Sequence, residues 1–258
     1  MMHIDLNSDM GESFGAYRIG ADEEILRWVT SANVACGWHG GDPHVMRQTV
    51  ALAKTLGVAV GVHPSYPDLL GFGRRPMQIS RQEARDYMLY QIGALRAFVE
   101  AAGLALQHVK PHGAIYNVAA KDRELSLGIA EAVKEAGGDL ILMGLPDSEM
   151  LKAAQEVGVR IAREAFGDRA YNEDGSLVSR KIAGSLITDP DRVAERAVGL
   201  AQGRVTAITG KEIRFQADTI CLHGDTPGAA TIARRVRERL EKDGAQVRPL
   251  GEFLGRGI

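Results

Sequence analysis

Ala32-Asn33-Val34-Ala35-Cys36-Gly37-Trp38-His39-Gly40-Gly41-Asp42-Pro43 carries a whole strand-to-helix joint in one stretch. Residues 32–36 form an apolar run of strand length, and the glycines around His39 are turn chemistry. Asp42-Pro43 then opens a helix, because aspartate caps the first free N–H groups and proline suits the first helical position. The apolar positions Val45, Met46, Val50, Ala53 and Leu56 follow helical spacing, and Gly57 closes the segment. A second apolar run, 58–62, starts at once. Strand, helix, strand in this order reads as a βαβ unit with parallel strands.

The same pattern recurs along the chain. Further apolar runs lie at 4–6, 105–109, 140–143, 160–162 and 219–222. Ser80 with Glu83 forms a capping box ahead of Tyr87, Met88, Ile92, Leu95 and Val99, with Gly103 as the stop. Asp189-Pro190 and Thr226-Pro227 repeat the Asp42-Pro43 device, and Asp22, Asp122 and Asp147 are further helix starts. Seven βα units without a break in composition predict a single α/β domain over residues 1–258, closed or nearly closed into a barrel. A doubly wound open sheet is the alternative, but Asn7-Ser8-Asp9-Met10-Gly11-Glu12 stands where its Gly-rich dinucleotide loop would be. Residues 203–216 read as an inserted β-hairpin, with arms 207–209 and 213–215 around Gly210-Lys211.

Composition sets bounds on function. The chain has 258 residues, 45% hydrophobic and 25% charged, with a formal net charge of -2. That balance offers no basic surface for nucleic acid or anionic membrane. No apolar run approaches the roughly 20 residues that span a bilayer. The N-terminal residues lack the build of a signal peptide, so a cytoplasmic location is expected. Cys36 and Cys221 lie in apolar runs and read as buried thiols.

In βα barrels the chemistry gathers at the C-terminal ends of the strands. Asn7, Asp9 and Glu12 follow the first run, His39 the second, His63 the third, Lys110, His112 and Tyr116 the fourth, Glu164, Asp168 and Arg169 the sixth, and His223 and Asp225 the last. One histidine past a strand can simply cap a loop. Four of the seven histidines at equivalent positions, His39, His63, His112 and His223, instead converge on one small volume. His44 and His108 are expected on helix surfaces. Asp42 is an N-cap first, and Asp168 is expected to pair with Arg169. Asp9 and Glu12 are the carboxylates best placed for general base work. Lys110 is either an exposed lysine at a loop start or an anchor for a carboxylate or phosphate. Asp9, His39 and His63 could hold a divalent metal, though their spacing is not diagnostic. The chain has no P-loop, no G-x-S-x-G elbow and no H-E-x-x-H motif.

Six blocks carry a resemblance. They are Asp5-Leu6-Asn7-Ser8-Asp9-Met10-Gly11-Glu12, Asn33-Val34-Ala35-Cys36-Gly37-Trp38-His39-Gly40-Gly41-Asp42-Pro43, Gly61-Val62-His63-Pro64-Ser65-Tyr66-Pro67-Asp68, Val109-Lys110-Pro111-His112-Gly113-Ala114-Ile115-Tyr116, Glu164-Ala165-Phe166-Gly167-Asp168-Arg169 and Cys221-Leu222-His223-Gly224-Asp225. In this order they resemble the signature of the LamB/YcsF family nearly end to end. Ser8 departs from a common cysteine and Gly167 from a common alanine, and neither change touches a charged group. The resemblance implies an irregular (β/α)7 barrel similar to the glycoside hydrolase/deacetylase superfamily. It implies the ATP-dependent opening of 5-oxo-L-proline to L-glutamate, with ATP and Mg2+ as co-substrate and with 5-oxoprolinase subunits B and C as partners. On that reading Asp9 or Glu12 is the base, His112 or His223 the acid, and Lys110 the anchor. Asn7, His39, His63, Tyr116, Glu164, Arg169 and Asp225 surround the substrate. The rival readings are a metal-dependent deacetylase of the same fold and a non-catalytic oxoproline-binding subunit.

Overall fold

The computed structural model describes residues 2–224 and 228–255. Ten strands and eight α-helices follow one another among the described residues: β1 Met2–Met10, α1 Asp22–Ile25, β2 Ser31–Ala35, α2 Pro43–Leu56, β3 Ala59–His63, α3 Arg81–Ala101, β4 Leu106–Val109, α4 Ala114–Ala119, α5 Arg123–Ala136, β5 Ile141–Gly144, α6 Glu149–Glu156, β6 Arg160–Phe166, α7 Pro190–Ala201, β7 Arg204–Thr206, β8 Glu212–Arg214, β9 Thr219–Cys221, α8 Ala229–Lys242 and β10 Ala245–Val247. β1 to β6 pair in sequence order, β9 pairs β6, and β9 also pairs β1. All these pairings are parallel, so seven strands close a barrel. β10 adds to the start of β1, and β7 with β8 forms an antiparallel hairpin. No described helix is long and apolar enough to cross a membrane.

The expected capping chemistry sets most helix starts. Asp42 accepts from the backbone of His44 at 2.8 Å and Val45 at 2.9 Å, and Gly57 ends α2 in the left-handed region at φ 69°. Ser80 and Glu83 form the reciprocal capping box of α3. Ala84, Met88, Ile92, Leu95 and Val99 of that helix are all fully buried. Each large side chain among them stabilises the layer between helices and barrel by about 1.5–3 kcal/mol relative to exposure. Two starts differ. Asp22 accepts from Gly11 N at 2.7 Å rather than capping α1, and Ser148, not Asp147, caps α6. Thr226 and Pro227 lie outside the described residues.

Two strands run further than the apolar runs predict, and one hairpin arm is displaced. β1 begins at Met2 and continues to Met10 because it pairs β10, then β9, then β2 along its length. Asn7 and Asp9 are therefore strand residues, not loop residues. Glu164 likewise lies inside β6. The first hairpin arm is Arg204–Thr206 instead of 207–209, since Thr206 pairs Glu212.

The barrel interior is polar. β1 turns Ile4, Leu6 and Met10 to the apolar layer and sends Asp5, Asn7 and Asp9 inward, as the two-residue period of a strand requires. At the bottom, Asp5 accepts from Thr30 at 2.7 Å, Ser31 at 2.6 Å and Thr219 at 2.5 Å. Burial outweighs these bonds and pushes its pKa up to about 6. Above it, Asn7 accepts from Asn33 at 2.7 Å. His108 belongs to this layer, against the expectation of a helix surface. It lies on β4, fully buried, with Nε2 2.7 Å from Asn33 Oδ1. Asn33 and His108 sit on strands either side of β3, opposite Gly61 in register. The imidazole crosses over Gly61, and a Cβ there would overlap the ring. Burial, aided by the Lys110 charge, lowers the His108 pKa to about 3, so the ring is neutral.

Two measurements test this layer. Gly61→Ala forces the His108 ring aside and is expected to cost about 1–3 kcal/mol in urea unfolding. Gly93→Ala, on an open face of α3, is expected to add about 0.5–1 kcal/mol instead. His108 binds a proton below pH 6.5 when unfolded but not when folded, so its contribution is present above that pH and is lost toward pH 3. The stability penalty of His108→Gln should therefore shrink by about 1.4 kcal/mol per pH unit below pH 6.5. A penalty that stays constant between pH 7 and pH 5 contradicts a neutral buried ring.

Candidate active site

The top of the barrel continues the same inward rows. Lys110, one residue past β4, projects its ammonium into the interior and is 3% exposed. Its Nζ lies 2.9 Å from Asp9 Oδ1, 2.9 Å from Glu164 Oε1, 3.3 Å from Asn7 Oδ1 and 3.1 Å from Cys221 Sγ. Burial alone would neutralise the amine, but the charges of Asp9 and Glu164 outweigh it and hold the pKa well above the usual lysine range. Asp9 Oδ1 also accepts from Asn33 at 2.9 Å and lies 3.3 Å from His63 Nε2. Burial raises the Asp9 carboxyl, and His63 and Lys110 outweigh that effect, holding it well below the carboxylate range. An aspartate held this firmly in its anionic form is a weak base. The lysine has four partners in the barrel interior, which hold its charge in place.

His223 faces the same space from the other side. Its Nδ1 lies 2.8 Å from Asp168 Oδ1, and its backbone N–H donates to Oδ2 at 3.2 Å. A carboxylate accepts only, so Nδ1 carries the proton and Nε2 is left as the base. The ring stacks on Phe166 at 5.8 Å. Asp168 is buried, which raises its pKa, yet its pairing with His223 brings the net value below the usual one. Asp168 thus orients His223, where sequence neighbourhood suggested Arg169. The Arg169 guanidinium donates to Val178 O at 2.7 Å.

The remaining histidines form a separate group. His39, His63, His112 and Glu12 each offer one ligand atom, and these atoms lie within 4.8 Å of one another. His39 stacks flat on His112, with centroids 3.8 Å apart and planes inclined by 6°. Burial lowers the pKa of both rings well below the usual histidine value. Asp9, Cys221 and His223 make a second such group. The metal set expected from sequence, Asp9 with His39 and His63, is thus divided. Glu12 and His112 take the place beside the two histidines, and Asp9 goes with His223. The first set fits a divalent ion by its chemistry, since three neutral imidazoles and one carboxylate are its donors. In the second set, burial holds the Cys221 thiol well above its usual pKa, which disfavours the thiolate that a metal needs.

A cavity of about 590 Å³ opens over both groups. Its floor includes Asp9, His63, Lys110, His112 and His223, and Tyr116 and Phe166 form part of its wall. Tyr116 is buried beside Glu164, and burial with that negative charge keeps its hydroxyl protonated. Arg74, Arg169, Arg180, Lys121 and Lys181 line the outer wall, while Asp9 is the only carboxylate residue in the lining among the described residues. Asp225, expected here, lies outside the described residues. Asn33, the pairing of Asp168 with His223, and the basic wall beyond Arg169 were not anticipated. The Arg180-Lys181 pair was visible as charge, but nothing local to it marks a barrel mouth.

Comparison with known proteins agrees with this architecture. A protein of Thermococcus onnurineus named as the A subunit of 5-oxoprolinase is 54% identical, over 98% of this chain and 100% of that one. Its namesake in Campylobacter jejuni is 53% identical over the same shares. The crystal structure of a lactam utilization protein from Thermus thermophilus superposes with a TM-score of 0.91 at 50% identity, covering 96% of this chain and 99% of that one. A T48 deacetylase, at 11% identity and a TM-score of 0.51 over 97% of this chain and 89% of that one, shares the fold alone. The LamB/YcsF family model matches residues 4–255, the whole ring of strands and every group described above, and the chain belongs to the LamB/YcsF family.

Proposed function

We propose that this chain opens the lactam of 5-oxo-L-proline to give L-glutamate, as one subunit of an ATP-dependent 5-oxoprolinase that includes partner subunits B and C. The observation that carries the reading is the cavity floor, where His223, oriented by Asp168, faces the Asp9–Lys110 pair beneath a cationic wall. The relatives named as the A subunit of 5-oxoprolinase support the choice of substrate.

Ring opening adds water across the bond between the carbonyl carbon and the ring nitrogen. The water oxygen bonds to carbon, that bond breaks, and the nitrogen takes a proton. His223 Nε2 suits both transfers, first from water and then to nitrogen, with Asp168 stabilising the imidazolium between them. Asp9 keeps its negative charge throughout and positions rather than takes protons. Lys110 supplies a fixed positive charge near the carbonyl oxygen as it becomes anionic.

A lactam is an unreactive amide, and phosphorylation of its oxygen by ATP with Mg2+ would make the ring carbon more electrophilic: water adds there, the C–N bond breaks as nitrogen takes a proton, and a second water hydrolyses the resulting acyl phosphate to the carboxylate and phosphate. The chain has no P-loop. The wall of Arg74, Arg169, Arg180, Lys121 and Lys181 suits a substrate bearing a carboxylate and, once activated, a phosphoryl group. A divalent ion bound by Glu12, His39, His63 and His112 would supply Lewis acidity beside the same carbonyl.

The test is glutamate formation and phosphate release by the chain with and without its partner subunits. In the reconstituted complex, His223→Gln and Asp168→Asn are each expected to lower kcat by about 10²–10⁴ with little change in KM. Arg169→Met is expected to raise KM for oxoproline with a smaller effect on kcat. Full turnover in both dyad variants assigns the chemistry elsewhere and leaves this chain as a binding subunit.

A further inference from the structure

The protons on two histidines can be assigned from carbonyl oxygens. His63 Nδ1 lies 2.7 Å from the carbonyl oxygen of Lys110, and His112 Nε2 lies 2.9 Å from that of Phe72. A carbonyl only accepts, so each of these nitrogens carries a hydrogen. With both rings uncharged, the other nitrogens, His63 Nε2 and His112 Nδ1, present bare lone pairs to each other at 2.9 Å. Two lone pairs at that distance repel unless a cation lies between or beside them. His39 adds to the mismatch. It is fully buried, and neither of its ring nitrogens has a hydrogen-bond partner among the described residues. Its Nε2 points to Glu12 Oε1 at 3.3 Å, and the same oxygen lies 3.7 Å from His112 Nδ1.

Three separations among these four donor groups, 2.9, 3.3 and 3.7 Å, are close to those of a coordination shell. Zinc-class ions bind imidazole at about 2.0–2.1 Å in a tetrahedron, whose edges are then about 3.3–3.4 Å. The three separations around the cluster bracket that length. The far-side contacts match as well, because ligand imidazoles usually donate their other N–H to a carbonyl or carboxylate, which fixes ring and tautomer. The backbone is shaped to give one of those carbonyls. Phe72 holds φ 54° and Gly73 φ 63°, turning the Phe72 carbonyl onto His112. A Cβ at Gly73 would collide with Ser65 and crowd His112 and His39. Left-handed backbone at a non-glycine residue is strained and persists where the surroundings enforce it.

We infer that Glu12, His39, His63 and His112 form a binding site for one divalent transition-metal ion of the zinc class. One carboxylate and three neutral imidazoles leave a net positive centre, and Asp9, 3.3 Å from His63 Nε2, balances it. Nitrogen donors in the majority select zinc-class ions over Mg2+ or Ca2+, which prefer oxygen. The inference stands apart from the proposed reaction, since it is read without substrate.

Cobalt(II) reports the site directly. Full-length protein without a polyhistidine tag, stripped with chelator and titrated with Co2+, should bind one ion per chain with the visible absorption of a low-symmetry nitrogen-rich site. Zn2+ should displace it and a large excess of Mg2+ should not. His39→Ala and His112→Gln should each weaken binding at least tenfold, whereas His223→Gln should leave the spectrum intact. The wild-type protein provides a check independent of variant folding: its Tm should rise with Zn2+ and fall back with chelator. No cobalt spectrum and no Tm shift would leave a shared proton between His63 and His112 and overturn the inference. A thiolate charge-transfer band that is lost in His223→Gln would overturn it too, by placing the ion at Asp9, Cys221 and His223.

Discussion

A lysine ammonium sits charged and almost fully buried in the interior of the barrel. Taking an ion of that size out of water costs several kcal/mol even after the protein relaxes. Lys110 is tolerable there only because Asp9 and Glu164 stand at 2.9 Å on two sides of it. The pairing constrains its surroundings. Two carboxylates already answer one lysine, so the neighbouring interior positions are neutral amides, Asn7 and Asn33, and a neutral imidazole, His108. Asp5, one layer down, is pushed up to about 6 by burial, with a smaller push from Glu164. Truncating the lysine would leave two buried anions, the situation in which a broken ion pair costs about 3–5 kcal/mol.

That constraint also explains which parts of the structure were legible in sequence. Helix starts at Asp42, Ser80, Asp122 and Asp189 use capping chemistry that is local, and they stand where expected. The outer strand faces are apolar and announce themselves. The inner faces are polar, so the Asp5, Asn7, Asp9 alternation ended the first apolar run too early, and Glu164 ended the sixth. Two assignments failed because the deciding partner is remote. His108 enters the barrel because Gly61 on the next strand leaves room for its ring. Asp168 turns to His223 on the neighbouring strand end rather than to the adjacent arginine. Strand-end position located the four histidines of the site. It could not divide them, since His223 and the other three differ only in what faces them across the barrel.

That division gives the cavity floor two kinds of chemistry. On one side, an imidazole with a carboxylate behind it and an open nitrogen is arranged to move a proton. On the other, imidazoles whose hydrogens point at carbonyls are arranged to present lone pairs. Asp9 touches both sides through Lys110 and His63, and its low pKa keeps the charge between them constant.

The ring closes where β1 meets β9, with Asp5 opposite Thr219 and Asn7 opposite Cys221. Most of the chain lies between those partners, so within the closed ring this pairing carries the largest loop-closure entropy, exceeded in the sheet only by β1 with β10, and it belongs late in folding. The Lys110 cage needs the same two strands, because Asp9 arrives on β1 and Cys221 on β9. A nascent chain lacking β9 therefore has an ammonium with only part of its surrounding cage and no His223 opposite Asp168. The buried ion pair around Lys110 and the Asp168–His223 pair are both assembled only once β9 has joined the ring.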